Sequence, residues 1–225
     1  MTLRPVRRPA VRGPFVTAIL TGLAIVVVAW FAAGSIYNVR RGRQVLRWMQ
    51  GGLPALGART TVRWLGTTAV QMVLREPRAP FQEVTLIVFL EPRDVPWMWA
   101  LSHPRGRRDI LIVRALLQDP PRMDLEVLDP RSWSGREVRH RLAAAQWSVR
   151  EPAPGAPPVY YQAAPALARA DELVALAARI GVAVPRLSVR RGAPHLQLHL
   201  ALPGPGVPAD AFFRTVRELG ERASH

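Results

Sequence analysis

Hydrophobic and polar positions follow three different periods along this chain. Residues 15–34 (FVTAILTGLAIVVVAWFAAG) are uncharged without a break. Twenty residues at about 1.5 Å each make a helix about 30 Å long, the thickness of a bilayer's hydrocarbon core. Thr17 and Thr21 can bond back into such a helix, and Trp30, with Tyr37 just beyond, stands where interfacial aromatics collect. The expectation is a transmembrane helix over 15–34, preceded by a basic tail over 1–14. A signal peptide is the competing assignment, because Arg4, Arg7, Arg8 and Arg12 come before the run. The run exceeds the roughly 7–15 residues of a signal's apolar region, however, and Ala32, Ala33 and Gly34 make a poor cleavage site.

Over residues 35–50 the pattern becomes amphipathic, with Val39, Leu46 and Met49 on one helical face and Arg40, Arg43 and Arg47 on another. This predicts a basic juxtamembrane helix, closed by Gly51, Gly52 and Pro54. The period then shortens to two. Residues 60–65 and 67–75 flank a tight turn at Gly66, and 83–90 (EVTLIVFL) is apolar enough for a central strand. Strands over 109–116 and 122–128 meet at a proline-rich turn, giving an antiparallel meander. A helix over 135–149, capped by Ser134, covers one face through Val138, Leu142, Ala145 and Val149.

Four prolines and a glycine in residues 151–158 (EPAPGAPP) exclude helix and interior strand, so this segment reads as a linker or a long surface loop. Beyond it the pattern gives a strand at 159–162, a helix at 169–180, strands at 186–191 and 194–202, and a helix at 209–221. The fold class is α+β: one N-terminal transmembrane helix, then an antiparallel-sheet domain with packed helices. The linker divides it into a β-rich subdomain at 51–150 and a βαββα subdomain at 159–225, unless both halves share one sheet.

Composition removes whole classes of chemistry. All 31 basic residues are arginine, lysine and cysteine are absent, and Asn38 is the sole asparagine. A P-loop or Schiff-base lysine, a thiolate nucleophile, a disulfide and a cysteine-bound zinc are therefore excluded. The same skew points to a GC-rich genome and discounts the net charge of +15 as a sign of an anionic partner. Four arginines precede the apolar run, and Arg40, Arg41, Arg43 and Arg47 follow it closely, so the positive-inside count is tied. Arg59 and Arg63 tilt it toward a cytoplasmic domain. Arg40, Arg41, Arg43 and Arg47 are the expected membrane-headgroup contacts, at about 1 kcal/mol for each arginine near the surface.

Candidate catalytic groups are few. His195 and His199 lie four apart in a predicted strand, about 13 Å from each other by strand rise, which suits a solvated face rather than one metal ion. Asp124 and Glu126, two apart, are spaced at about 7 Å for acid–base work or simply for keeping an outward face charged. Glu91 and Asp94 flank Arg93 in a turn with local charge pairing. Trp97, Met98 and Trp99, followed by Arg105, Arg107 and Arg108, suit core or interface packing first, a membrane-facing patch second and base stacking third; no nucleic-acid signature accompanies them. The sequence implies no cofactor and no metal. The expected partners are the lipid bilayer and a protein at the membrane; nucleic acid is disfavoured and a small molecule undetermined. The expected function is a non-enzymatic interaction or scaffold module at the membrane surface. The alternatives are a membrane-tethered hydrolase or transferase using Glu91, Asp94, Asp124, Glu126 and a histidine, and a binder of anionic lipid or nucleic acid. Convergence of two such acids and a histidine on one pocket separates the enzyme from the scaffold.

Overall fold

The structure is a computed structural model that describes residues 13–151, 156–204 and 206–224. The basic tail therefore lies outside the described residues up to position 12, as do 152–155 of the proline-rich segment. The chain begins with one continuous helix, α1 (Pro14–Gln50), 37 residues long, with proline at its first position and Gly51 at its end. Its two halves meet different surroundings. Residues 14–33 contain no buried side chain, and the most apolar window of 18 residues in α1 has a mean hydropathy of 2.4. This one helix is long and apolar enough to cross a membrane.

From Gly34 onward α1 docks on the domain along a buried stripe of Gly34, Asn38, Gly42, Val45 and Met49. Steps of four and three residues keep these positions on one face. Two glycines let the backbones approach: a Cβ on Gly34 would collide with the Arg93 carbonyl, and one on Gly42 would lie 2.7 Å from the Trp64 ring. The hydropathy pattern put the seam on Val39, Leu46 and Met49. Met49 is fully buried, but Val39 and Leu46 are only half-buried, because the docking face is marked by smallness and one amide rather than by apolar bulk.

After a single 3-10 turn at Leu53–Ala55 come the strands β1 (Gly57–Trp64), β2 (Ala69–Pro77) and β3 (Phe81–Phe89), the short helix α2 (Pro96–Ser102), and β4 (Ile110–Leu117) and β5 (Leu125–Leu128). Next are α3 (Trp133–Ala144), β6 (Ser148–Arg150), β7 (Val159–Tyr161), α4 (Pro165–Ala178), β8 (Arg186–Val189), β9 (Leu196–Ala201) and α5 (Ala209–Ser224). The nine strands form one sheet in the order β1-β2-β3-β4-β9-β8-β5-β7-β6, antiparallel at every pairing. The two halves of the chain are joined where β4 pairs with β9 and again where β5 lies between β8 and β7, with β6 on the far side of β7. They therefore share a single α+β layer.

Alternation along the strands sends Met72, Leu86, Val113 and Leu198 to one face, where they form the main core with α4, α5 and the end of α1. Phe212 and Phe213 of α5 are fully buried there, at about 1.5–3 kcal/mol each relative to exposure. Trp48 of α1 packs edge-on against Phe212 and tilted against Phe213, with centroids at 5.1 and 5.7 Å, and donates to Val207 O at 2.7 Å, tying α1 to the C-terminal helix. The other face carries α3, through a small cluster of Leu128, Val138 and Leu142. Helix α3 differs from the pattern at both ends. Its N-cap is Ser132, whose Oγ accepts from Gly135 N at 2.9 Å, and it stops at Ala144, before Gln146 takes a positive φ and β6 begins.

If glycine size sets the approach of α1, Gly34→Val will lower the thermal stability of the full-length protein in detergent micelles by about 1–3 kcal/mol, the usual cost of overpacking. Gly22→Val is the internal control, since a Cβ there meets nothing within 4 Å. Equal melting temperatures for the two variants would show that the seam is looser than described.

Candidate functional site at the helix–sheet junction

The densest polar cluster lies where α1 leaves the domain. It is built by the connection from β3 to β4, where Pro92 and Pro96 restrict the chain before them to extended backbone and Pro96 opens α2. Arg93 is the hub. Its guanidinium makes a two-point bond to Asp109 at 2.8 and 3.2 Å and a further bond to Glu91 at 3.2 Å, and lies 5.0 Å from the centre of the Tyr37 ring. Glu91 is almost wholly buried; its second oxygen accepts from Trp99 Nε1 at 3.0 Å and lies 2.7 Å from His103 Nδ1. The Glu91 backbone N–H donates to Asp109 at 2.8 Å.

Helix α1 enters this network through two side chains. Asn38 Nδ2 donates to the Glu91 carbonyl at 3.1 Å, and Trp30 Nε1 donates to the Arg93 carbonyl at 2.9 Å. Burial opposes the charge on Arg93, but its bond to Asp109 and the negative charges of Asp109 and Glu91 outweigh that and raise its pKa above the ordinary value. The cation is thus held in place by two carboxylates on one side and an aromatic face on another.

The four candidate acids do not converge. Glu91 belongs to this junction, while Asp94 accepts from Thr67 Oγ1 at 2.5 Å and leaves its other oxygen buried without a partner. Asp124 and Glu126 belong to a second network. Glu126 is fully buried and accepts from Arg186 at 2.7 and 2.9 Å, Arg190 at 2.6 Å and Ser188 at 2.7 Å, whereas Asp124 accepts from Arg191 at 2.6 Å. The expectation of an outward, solvated pair is corrected for Glu126: β5 is an interior strand between β8 and β7, under the edge of α3. Burial would raise the Glu126 pKa, but the arginine and serine bonds hold it below the ordinary carboxylate value.

The two histidines are also drawn inward rather than solvated. His195 is half-buried and its Nδ1 accepts from Leu117 N at 3.0 Å. His199 is buried with Nδ1 unpartnered, and its Nε2 lies 2.7 Å from the Gln197 amide. Burial, reinforced by Arg186 and Arg114 and opposed by Glu126, pushes the His199 pKa down to about 4. Among the described residues no group of three or more His, Asp or Glu side chains is placed to hold a metal ion. No protein-family model matches the chain, and no curated protein matches it in sequence.

The expected headgroup arginines fall into two sets. Arg40, Arg43 and Arg47 are exposed, while Arg41 is half-buried, with Nε 3.8 Å from Asp109 and a bond to Gln44 at 3.1 Å. Along the helix axis Arg40 lies about 9 Å and Arg47 about 20 Å beyond Gly34. The aromatic cluster divides as well: Trp99 turns inward to Glu91, whereas Trp97 and Met98 point outward. Sequence reasoning missed Trp30, Asn38, Asp109 and His103 as members of the junction. Asn38, the sole asparagine in the chain, was the one available signal.

The buried histidine makes a signed pH prediction. Between its ordinary pKa of 6.5 and its folded value of about 4, the unfolded chain takes up a proton that folded His199 refuses. Stability therefore falls as pH drops through that window, by about 3 kcal/mol for a shift of this size. In His199→Gln this component disappears. Guanidinium unfolding midpoints of the full-length protein across the window should fall less steeply for the variant; parallel curves would place His199 in water.

Proposed function

We propose that the protein is a single-pass membrane-anchored interaction module, whose sheet domain serves as a scaffold surface at the bilayer without chemistry of its own. The observation that carries this reading is the continuity of α1, whose first 20 residues include no buried side chain and touch the domain through Trp30 near their end, and whose remainder is docked through Asn38 and the Arg93 junction. A helix fixed in the domain at one half and apolar all round at the other belongs in lipid. The carboxylate-and-histidine reading draws little support, since no two of its four acids meet a histidine together: Glu91 lies beside His103, Asp94 accepts from Thr67, and Asp124 and Glu126 are held by arginines. The surface left for a protein partner is the sheet face opposite the main core, where Ile87, Ile110 and Ile112 stand half-buried beside Gln71, Thr85 and Arg114. Arg59 and Arg63 tip an otherwise tied arginine count, which favours a cytoplasmic domain.

Arg40, Arg41, Arg43 and Arg47 are the proposed headgroup contacts. Their effect declines along the helix, because a surface potential decays over a Debye length of about 8 Å. Arg40 is the nearest, and Arg41 divides its charge between lipid and Asp109.

The decisive experiment is extraction. Full-length protein should remain in the membrane pellet through high salt and alkaline carbonate, and its release by carbonate would refute the anchor. Protease added to sealed cells or spheroplasts should leave the domain intact; cleavage there reverses the orientation.

The collar is tested apart from the span, with a fragment beginning at Ile36. It should co-sediment with anionic vesicles more than with neutral ones at low salt. Exchanging Arg40, Arg43 and Arg47 for Gln, with Arg41 kept as the partner of Asp109, should weaken that binding and its salt dependence. Unchanged binding would assign the attraction to the domain's other arginines.

A further inference from the structure

Helix α2 presents two faces of opposite character. Trp99 turns inward to Glu91, and His103, the residue that caps the helix, meets the same carboxylate. Trp97, Met98 and Leu101 share the outward face and are 61%, 45% and 58% exposed. The polar ties are satisfied inside and the apolar side chains are left bare, the reverse of a helix folded for water.

The position of α2 indicates what covers it. It leans on α1 where the bare half of that helix ends: Trp30 lies 6.2 Å from Trp99 and donates to the Arg93 carbonyl. Its outward face therefore continues the uncovered apolar surface of α1, which at this level includes Trp30 and Phe31. Arg105, Arg107 and Arg108 follow directly, with Arg105 and Arg108 exposed. At the same end of the sheet, Trp133 opens α3 half-exposed, and Arg136 reaches across to donate to the Arg105 carbonyl at 2.8 Å. Bare aromatic and aliphatic side chains edged by arginines match the lipid interface, where tryptophan settles at headgroup level and arginine pairs with anionic lipid.

We propose that α2 is a second membrane contact, with Trp97, Met98 and Leu101 entering the interfacial layer of the bilayer that α1 spans and Arg105 and Arg108 meeting its headgroups. This rests on the reading of α1 as a span. Two contacts fix what one cannot: a domain held by α1 alone can turn about the helix axis and tilt with it, whereas one held also at α2 keeps a single end of its sheet against the lipid.

The chain has no cysteine, so a single introduced thiol labels one site only. Met98→Cys and Leu101→Cys would each be made in the full-length protein, with Leu23→Cys inside the apolar run and Asp119→Cys in the turn after β4, at the opposite end of the sheet. Each is labelled with an environment-sensitive fluorophore and reconstituted in phosphatidylcholine–phosphatidylglycerol vesicles. The expected result is emission several-fold stronger at 98 and 101 than at 119, resistant to aqueous iodide and quenched by lipid carrying a spin label near its headgroup; the label at 23 is quenched by a deep one. If 23 is quenched by lipid while 98 and 101 behave like 119, the α2 contact is overturned and the span stands. Should 23 also behave like 119, the span falls and the second contact falls with it. Shielding from iodide without quenching by lipid would mean that protein covers α2, which overturns the proposal as well.

Discussion

A guanidinium placed between two carboxylates in a poorly solvated site is tolerated only while its geometry is held, and the end of this sheet is organised around that condition at Arg93. Removing either partner from such a pair typically costs about 3–5 kcal/mol, because a charge is left without compensation. The pair itself is weak as a source of stability, since apolar side chains of the same volume would often do as well. What it supplies is position. Arg93 fixes the spacing of Glu91 and Asp109, Glu91 then holds Trp99 of α2 and His103 at its C-terminal cap, and the backbone carbonyls of Glu91 and Arg93 receive Asn38 and Trp30 of α1. Helix α1, the sheet end and α2 thus share one set of partners.

The second network shows the same use of charge deeper in the sheet. Glu126 collects Arg186, Arg190 and Ser188 across neighbouring strands, and Arg190 also lies 4.7 Å from the centre of the Trp147 ring. These contacts join β5 to β8 at the point where α3 begins to cover the opposite face. Register is at stake there: a slip of one residue would turn Glu126 into the apolar core and Leu125 or Val127 out of it. A buried charge with matched donors is a strong penalty against that slip, even where its net stabilisation is small.

How much of this was legible in the sequence depended on the kind of signal each element carried. The apolar half of α1 announces itself as an unbroken run, and the sheet strands and α5 as apolar side chains repeating at a fixed period, and α+β follows from their order. The docking seam of α1 does not, since Gly34, Asn38 and Gly42 are chosen for size and a hydrogen bond, neither of which registers in hydropathy. Helix α2 was read as an aromatic cluster because seven residues between prolines are too few to show a helical period. The sharing of one sheet was left open, for nothing local in β4 or β9 records that residues some 85 positions apart will pair. For Glu126 and His199 alternation assigns an outward face but cannot say whether that face is covered; the lateral neighbours Arg186 and Ser188 arrive from elsewhere in the chain.

Continuity of α1 turns these separate features into one mechanical consequence. Two helices with a hinge between them would leave the domain free to reorient above the membrane, and glycines in the joint would be its natural hinge. Here Gly34 and Gly42 lie inside the docked face, where neighbouring backbone and the Trp64 ring occupy the space a side chain would take. The residues that could have made α1 flexible are the ones that let it approach, so close packing replaces freedom at both positions. Contacts then run without a break from Trp30, through the Arg93 junction, to Trp48 against Phe212 and Phe213. Whatever meets the exposed face of the sheet therefore meets it at an orientation set by how α1 sits in its surroundings, which is the property a surface scaffold requires and a flexible tether does not supply.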